Sequence, residues 1–191
     1  SSNKCGREVI FAVHQDVSEA LNGPAYYLGW NESYVEAAYR NNPVPTTGGN
    51  QWWWYTDTYR ALLQADPADT RAALTCRTAD YGTGGRRIGW TEKLMGRVDN
   101  GTRIFDSDFI LYRYGEAFLM AAEARYYGKD YAGALEALAP LAARAYGRRD
   151  YYTDTSPEAV LQAIVDEYLR EMVGEGRTWW MLLRTDKIWE Y

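Results

Sequence analysis

Three glutamates, Glu167, Glu171 and Glu175, recur every four residues, with Arg170 between the first two. That spacing aligns side chains on one face of a helix. Carboxylates aligned this way admit two chemistries. One is a glycosidase acid/base pair, which needs carboxyl groups about 5–9.5 Å apart across a sugar. The other is an ion-pair network, for which the chain holds partners. Arg113, Glu116 and Glu123 sit among the apolar positions of the stretch 108–146, Arg144 lies near its end, and Arg184 follows the third glutamate. Charges of both signs in near-equal number, on regular helices rather than in a loop, favour the network. A second constellation is Asn50-Gln51-Trp52-Trp53-Trp54-Tyr55. Indole and phenol rings stack on the apolar C–H faces of sugars, while amides take the hydroxyls. Tyr26, Tyr27 and Trp30 form a further aromatic group upstream. Most of these rings are expected to cover the helical layer as core, with at least one of the three consecutive tryptophans exposed.

The elements that must position these groups divide the chain in two. Residues 1–107 are rich in breakers, and residues 108–191 are helical. A short β-rich run over 8–14 predicts a strand. Residues 16–55 carry Gly23-Pro24, Asn41-Asn42-Pro43 and Gly48-Gly49 and read as irregular, with a helical turn near 33–39. A helix is expected over 56–64, ending at Asp66-Pro67. Two strands over 71–80 and 86–98 form a hairpin around Gly82–Gly85, and Asp99-Asn100-Gly101 marks a turn. The first long helix is placed at 109–127 and carries Arg113, Glu116 and Glu123. A turn at Gly128-Lys129-Asp130 leads to a second helix over 131–146, with a kink or late start at Pro140. Ser156-Pro157 starts a third over about 157–173, and a short fourth carries Trp179 and Trp180.

Composition narrows the class. The 191 residues are 47% hydrophobic and carry a net charge of −5, with a pI near 5.0, which speaks against a nucleic-acid partner. No apolar run approaches the length of a membrane span, and the amino-terminal residues lack the layout of a signal peptide. Cys5 and Cys76 are read as two unpaired thiols, with a disulfide between them the alternative in an oxidising compartment. The sole histidine, His14, lies in the strand-like run without further His or Cys ligands nearby, so neither a metal site nor a cofactor is expected.

The helix pair resembles a tetratricopeptide repeat: Phe118, Ala121 and Ala122 on the first helix and Tyr131, Ala134 and Leu138 on the second stand at its large and small packing positions. A more specific resemblance covers nearly the whole chain. Arg113–Ala124, RYGEAFLMAAEA, resembles the RYAEVLLMYAEA signature of the SusD/RagB family. In the same order, EVIFAV at Glu8–Val13, the Asp69-Thr70-Arg71 segment, Arg144-Ala145 and EYLREMVGEGRTWWMLLRT at Glu167–Thr185 resemble further family stretches. Tyr168 and Thr178 depart from arginines of that pattern and Met181 from an aspartate. The resemblance implies a mainly α fold, a tetratricopeptide-like α-α superhelix core with irregular loops and a few short strands. It identifies 1–191 as a carboxy-terminal domain of such a protein. It implies a non-enzymatic Bacteroidetes surface lipoprotein of the outer membrane that captures glycans, or alternatively peptides, for a TonB-dependent transporter of the SusC type. A lid or scaffold without its own ligand is a further alternative. The lipid anchor implied by the family is not in this stretch, and Cys5 has no apolar leader to make it one.

Overall fold

A computed structural model describes residues 6–16, 18, 24–29, 31–37, 49–82 and 86–191. Trp30 and Cys5, both singled out from the sequence, lie outside the described residues. Strand β1, Val9–Val13, pairs antiparallel with β6, Phe109–Arg113, in a register running from Val9 opposite Arg113 to Val13 opposite Phe109. This pairing corrects the expected helix over 109–127. Residues 109–113 are extended, because β1 offers their backbone a ladder, and the helix starts only at Tyr114. Arg113 therefore stands at the strand end, as the helix N-cap residue, with its neighbour Tyr114 donating an N–H to the Glu8 carbonyl at 2.9 Å.

Between these strands the chain forms α1, Pro24–Leu28, and a 3₁₀ turn over Glu32–Tyr34. Helix α2, Asp57–Leu63, is capped by Thr56, whose hydroxyl accepts the Tyr59 N–H at 3.1 Å. The expected first hairpin strand begins late: α3 takes Ala72–Thr75, and only then does β2, Arg77–Gly82, pair antiparallel with β3, Arg86–Trp90. A second hairpin joins β4, Arg97–Asp99, to β5, Thr102–Ile104. Asn100 and Gly101 turn it at φ of 48° and 79°, the left-handed conformation that short hairpin turns require.

The carboxy-terminal part is helical: α4, Tyr114–Tyr127; α5, Tyr131–Tyr146; α6, Pro157–Glu171; and α7, Thr178–Arg184. Asp130 caps α5 by accepting the Gly133 N–H at 2.9 Å, and Gly147 ends it at φ 74°. Helix α5 starts at Tyr131 and continues through Pro140, so the proline neither delays nor ends it. One apolar core joins the four helices. It holds Leu119 and Ala122 of α4, Leu138 and Leu141 of α5, Ile164 and Tyr168 of α6, and Met181 and Leu182 of α7. Met181 and Tyr168, two of the three positions that depart from charged family residues, are both buried in it. A smaller cluster of Val35, Ala79, Ile88 and Trp90 supports the β2–β3 hairpin. Among the described residues no helix is long and apolar enough to cross a membrane.

Candidate functional site

The aromatic loop is held by backbone bonds to α1. Asn50 donates to the Tyr26 carbonyl at 2.8 Å and Trp53 to the Tyr27 carbonyl at 3.2 Å. The approach is close enough that a Cβ on Gly49 would stand 2.5 Å from the Gly29 carbonyl carbon. Glycine is required at 49 for that reason. Gln51 is 0% exposed and sits at φ 47°. Its side-chain oxygen accepts the Asn31 N–H at 3.0 Å, Asn31 donates to the Asn50 carbonyl at 3.3 Å, and the Gln51 carbonyl accepts the Trp54 indole N–H at 3.0 Å. Gln51 thus fixes the loop from inside and has no face for a ligand, which corrects its place among the candidate ligand contacts.

Fixed in this way, Trp52, Trp53 and Trp54 are 62%, 54% and 42% exposed. The expectation that most of these rings become core is overturned for all three. The cause is the short loop: its backbone is pinned to α1, and the buried Gln51 occupies the inward position an indole would need. Tyr27 lies 5.2 Å from both Trp52 and Trp53, tilted by 44° and 36°. Tyr34, on the 3₁₀ turn, reaches Trp54 at 5.9 Å and is itself exposed. Asn50 is half-buried at the loop base. Tyr55 lies half-buried at the far end of the loop. Its hydroxyl donates to the Thr75 carbonyl at 2.9 Å, and its ring packs edge-on to Tyr59 against Leu63, Cys76 and Val173. Tyr34 is the member that sequence reading missed; only the fold brings a ring 20 positions away onto the platform.

The charged positions gather elsewhere. Arg113 donates to Glu171 at 2.6 Å, to Glu175 at 2.8 Å and to Glu8 at 2.8 Å. Arg144 reaches Glu171 at 2.5 Å, and Lys93 pairs with Glu175. Arg71 binds Asp69 at 2.7 Å, Glu167 at 2.8 Å and Glu171 at 3.1 Å. Tyr146 and Tyr152 donate to Glu167 at 2.5 and 2.8 Å, and both hydroxyls receive Arg170, at 3.3 and 3.5 Å. Glu116 meets Arg177 at 3.2 Å, and Glu123 meets Arg184 at 2.8 Å. Glu8, Arg71, Lys93 and Arg177 are members the sequence reading left out. The Asp69-Thr70-Arg71 segment was the signal for one of them.

Electrostatics separate Glu171 and Glu175 from an acid/base pair. Burial alone would raise the Glu171 carboxyl, but the Arg113 and Arg144 guanidiniums outweigh it and bring it down to about 2. Glu175 is held low against its burial by Arg113 and Lys93. A general acid needs the opposite shift, a carboxyl that stays protonated near neutral pH. Burial of Cys76 pushes its thiol up to about 11. Among the described residues no group of three or more His, Cys, Asp or Glu side chains is placed to hold a metal ion.

Residues 98–190 match the family model of the SusD family. The fold matches a SusD superfamily protein of Bacteroides fragilis NCTC 9343 with a TM-score of 0.73 and 26% identity, covering 95% of this chain and 41% of that one. A SusD superfamily protein of Bacteroides vulgatus ATCC 8482 matches with a TM-score of 0.71 and 27% identity, over 95% of this chain and 36% of that one. NanU of B. fragilis, 22% identical over 96% of this chain and 44% of its own length, shares the fold with a TM-score of 0.66. The chain therefore spans about two-fifths of the length of the solved structures it matches. No curated protein sequence matches it significantly.

Proposed function

We propose, for a chain that belongs to the SusD family, a non-enzymatic part in nutrient capture: holding a glycan against the Trp52–Trp54 loop for import by a TonB-dependent outer-membrane transporter. The observation that carries the proposal is the loop itself. Three consecutive indoles stay in solvent on a backbone fixed by Gly49 and Gln51, with Tyr27 and Tyr34 beside them. Leaving large aromatic surface in water is unfavourable for an isolated fold, and such patches mark binding sites. Rings mounted on a rigid loop lose little conformational freedom when a flat apolar sugar face covers them.

Glu171 and Glu175 favour binding over catalysis. Glu171 and Glu175 are spent on arginine and lysine, and both are held ionised. A surface lipoprotein seated on a transporter of the SusC type is the setting the family suggests. A titration of the chain with maltoheptaose, xylohexaose and chitohexaose, followed by tryptophan fluorescence and calorimetry, tests the reading. Saturable quenching by at least one of them that disappears in Trp52→Ala supports it. Saturation by a peptide library with no response to any sugar moves the ligand to the peptide class. Silence to both leaves a scaffold on the transporter.

A further inference from the structure

A second concave surface shares no residue with the tryptophan loop. It is a cleft of about 490 Å³ between α4 and α7, walled by Tyr112, Tyr127 and Trp180 and floored by Glu116, Glu123, Arg177 and Arg184. That volume lies in the range of small-molecule sites. The wall rings are about half exposed or more, with Trp180 at 60%. The floor is charged yet balanced. Arg184 grips Glu123 through two bonds of 2.8 and 2.9 Å, and Arg177 meets one Glu116 oxygen at 3.2 Å while lying over the Tyr112 ring at 5.4 Å. The other Glu116 oxygen is buried without a hydrogen-bond partner among the described residues, in a residue only 8% exposed. A buried acceptor left unpaired costs free energy until a donor reaches it.

We propose that this cleft is a second carbohydrate site, taking a neutral pyranose whose apolar face lies on Trp180 and whose hydroxyls meet the Arg177–Glu116 and Arg184–Glu123 pairs. Each arginine–carboxylate pair sets a donor beside an acceptor, the pattern that neighbouring hydroxyls of one sugar ring match. A free cation would face two arginines and a free anion two glutamates, so the balanced floor selects a neutral ligand. A protein partner fits the cleft less well, because charges are depleted where protein interfaces are fully buried. The unpaired Glu116 oxygen needs only rotation about the last side-chain torsion, a broad one, to accept a sugar hydroxyl.

The site is separable from the tryptophan loop by experiment. Calorimetric titrations of the 191-residue chain with the three oligosaccharides are run on Trp180→Ala, Glu116→Gln and Trp52→Ala. Circular dichroism checks the fold of each variant, and Trp180 is exposed enough for its variant to be well folded. The proposal expects a sugar whose affinity falls at least tenfold in Trp180→Ala and in Glu116→Gln and persists in Trp52→Ala. Three outcomes overturn it: no heat that depends on Trp180, sugar binding lost in Trp52→Ala alone, or a dimer that Trp180→Ala dissolves. The first two are distinguishable from failure of the loop reading, since loss confined to Trp52→Ala supports the loop while sinking the cleft.

Discussion

Replacing Glu171 by glutamine tests how the charged positions hold the fold. Its carboxylate accepts from Arg113 at 2.6 Å, Arg144 at 2.5 Å and Arg71 at 3.1 Å, and the residue is 3% exposed. A glutamine keeps one acceptor but turns an NH₂ group toward guanidiniums that only donate. Breaking one side of a buried ion network costs about 3–5 kcal/mol. Titration gives a second route to the same figure. A carboxyl brought from 4.5 to about 2 by folding contributes about 3 kcal/mol at neutral pH, at about 1.4 kcal/mol per unit. The two routes agree. The sign follows from the depressed folded value: the contribution is fully present above 4.5 and is lost as pH falls toward 2. Urea denaturation at pH 7 should therefore show Glu171→Gln less stable by about 3 kcal/mol, with a melting temperature about 10 °C lower. The gap to the unsubstituted chain should close between pH 4.5 and pH 2. A loss below about 1 kcal/mol at pH 7, or a gap that does not change across that window, would refute the network's role.

Glu116→Gln should cost less stability than Glu171→Gln in the same assay, because burial raises the Glu116 carboxyl above its usual range and, among the described residues, Arg177 alone pairs with it within 4 Å. Trp52→Ala and Trp53→Ala should leave unfolding free energy within about 0.5 kcal/mol, as expected for exposed side chains, while removing the sugar-dependent fluorescence change. Gly49→Ala should weaken sugar binding as much as loss of an indole does, since its methyl would drive the loop off the Gly29 backbone; unchanged binding would show that loop position does not matter. In a Cys5→Ser variant, which leaves one thiol, the Cys76 sulfhydryl, 2% exposed and raised to about 11, should resist Ellman's reagent at pH 8 until urea unfolds the chain, and fast labelling of that folded variant would contradict its burial.

The sequence carried the helical half well. Periodicity and end signals place α5 and α6, because Asp130, Pro157 and Gly147 act through neighbours in sequence. It failed where a distant partner decides. Residues 109–113 hold Phe, Ile, Leu and Tyr and suit helix or strand, and only pairing with Val9–Val13 settles them as β6. That strand then places Arg113 between Glu8 and Glu171, so a local misreading hid the Glu8 contact. Arg71, separated from Glu167 by 96 positions, is the hub no spacing rule could find. In the tryptophan loop the composition was legible, whereas the exposure of all three rings was not. It depends on Gln51 turning inward at φ 47°, a conformation uncommon for a side-chain-bearing residue.

The most direct test of the central reading is a crystal structure of the chain with a sugar that it binds in solution. A pyranose ring is expected to lie on the Trp52 or Trp53 indole, beside Tyr27. An oligosaccharide that saturates the chain yet leaves those rings bare would contradict that reading.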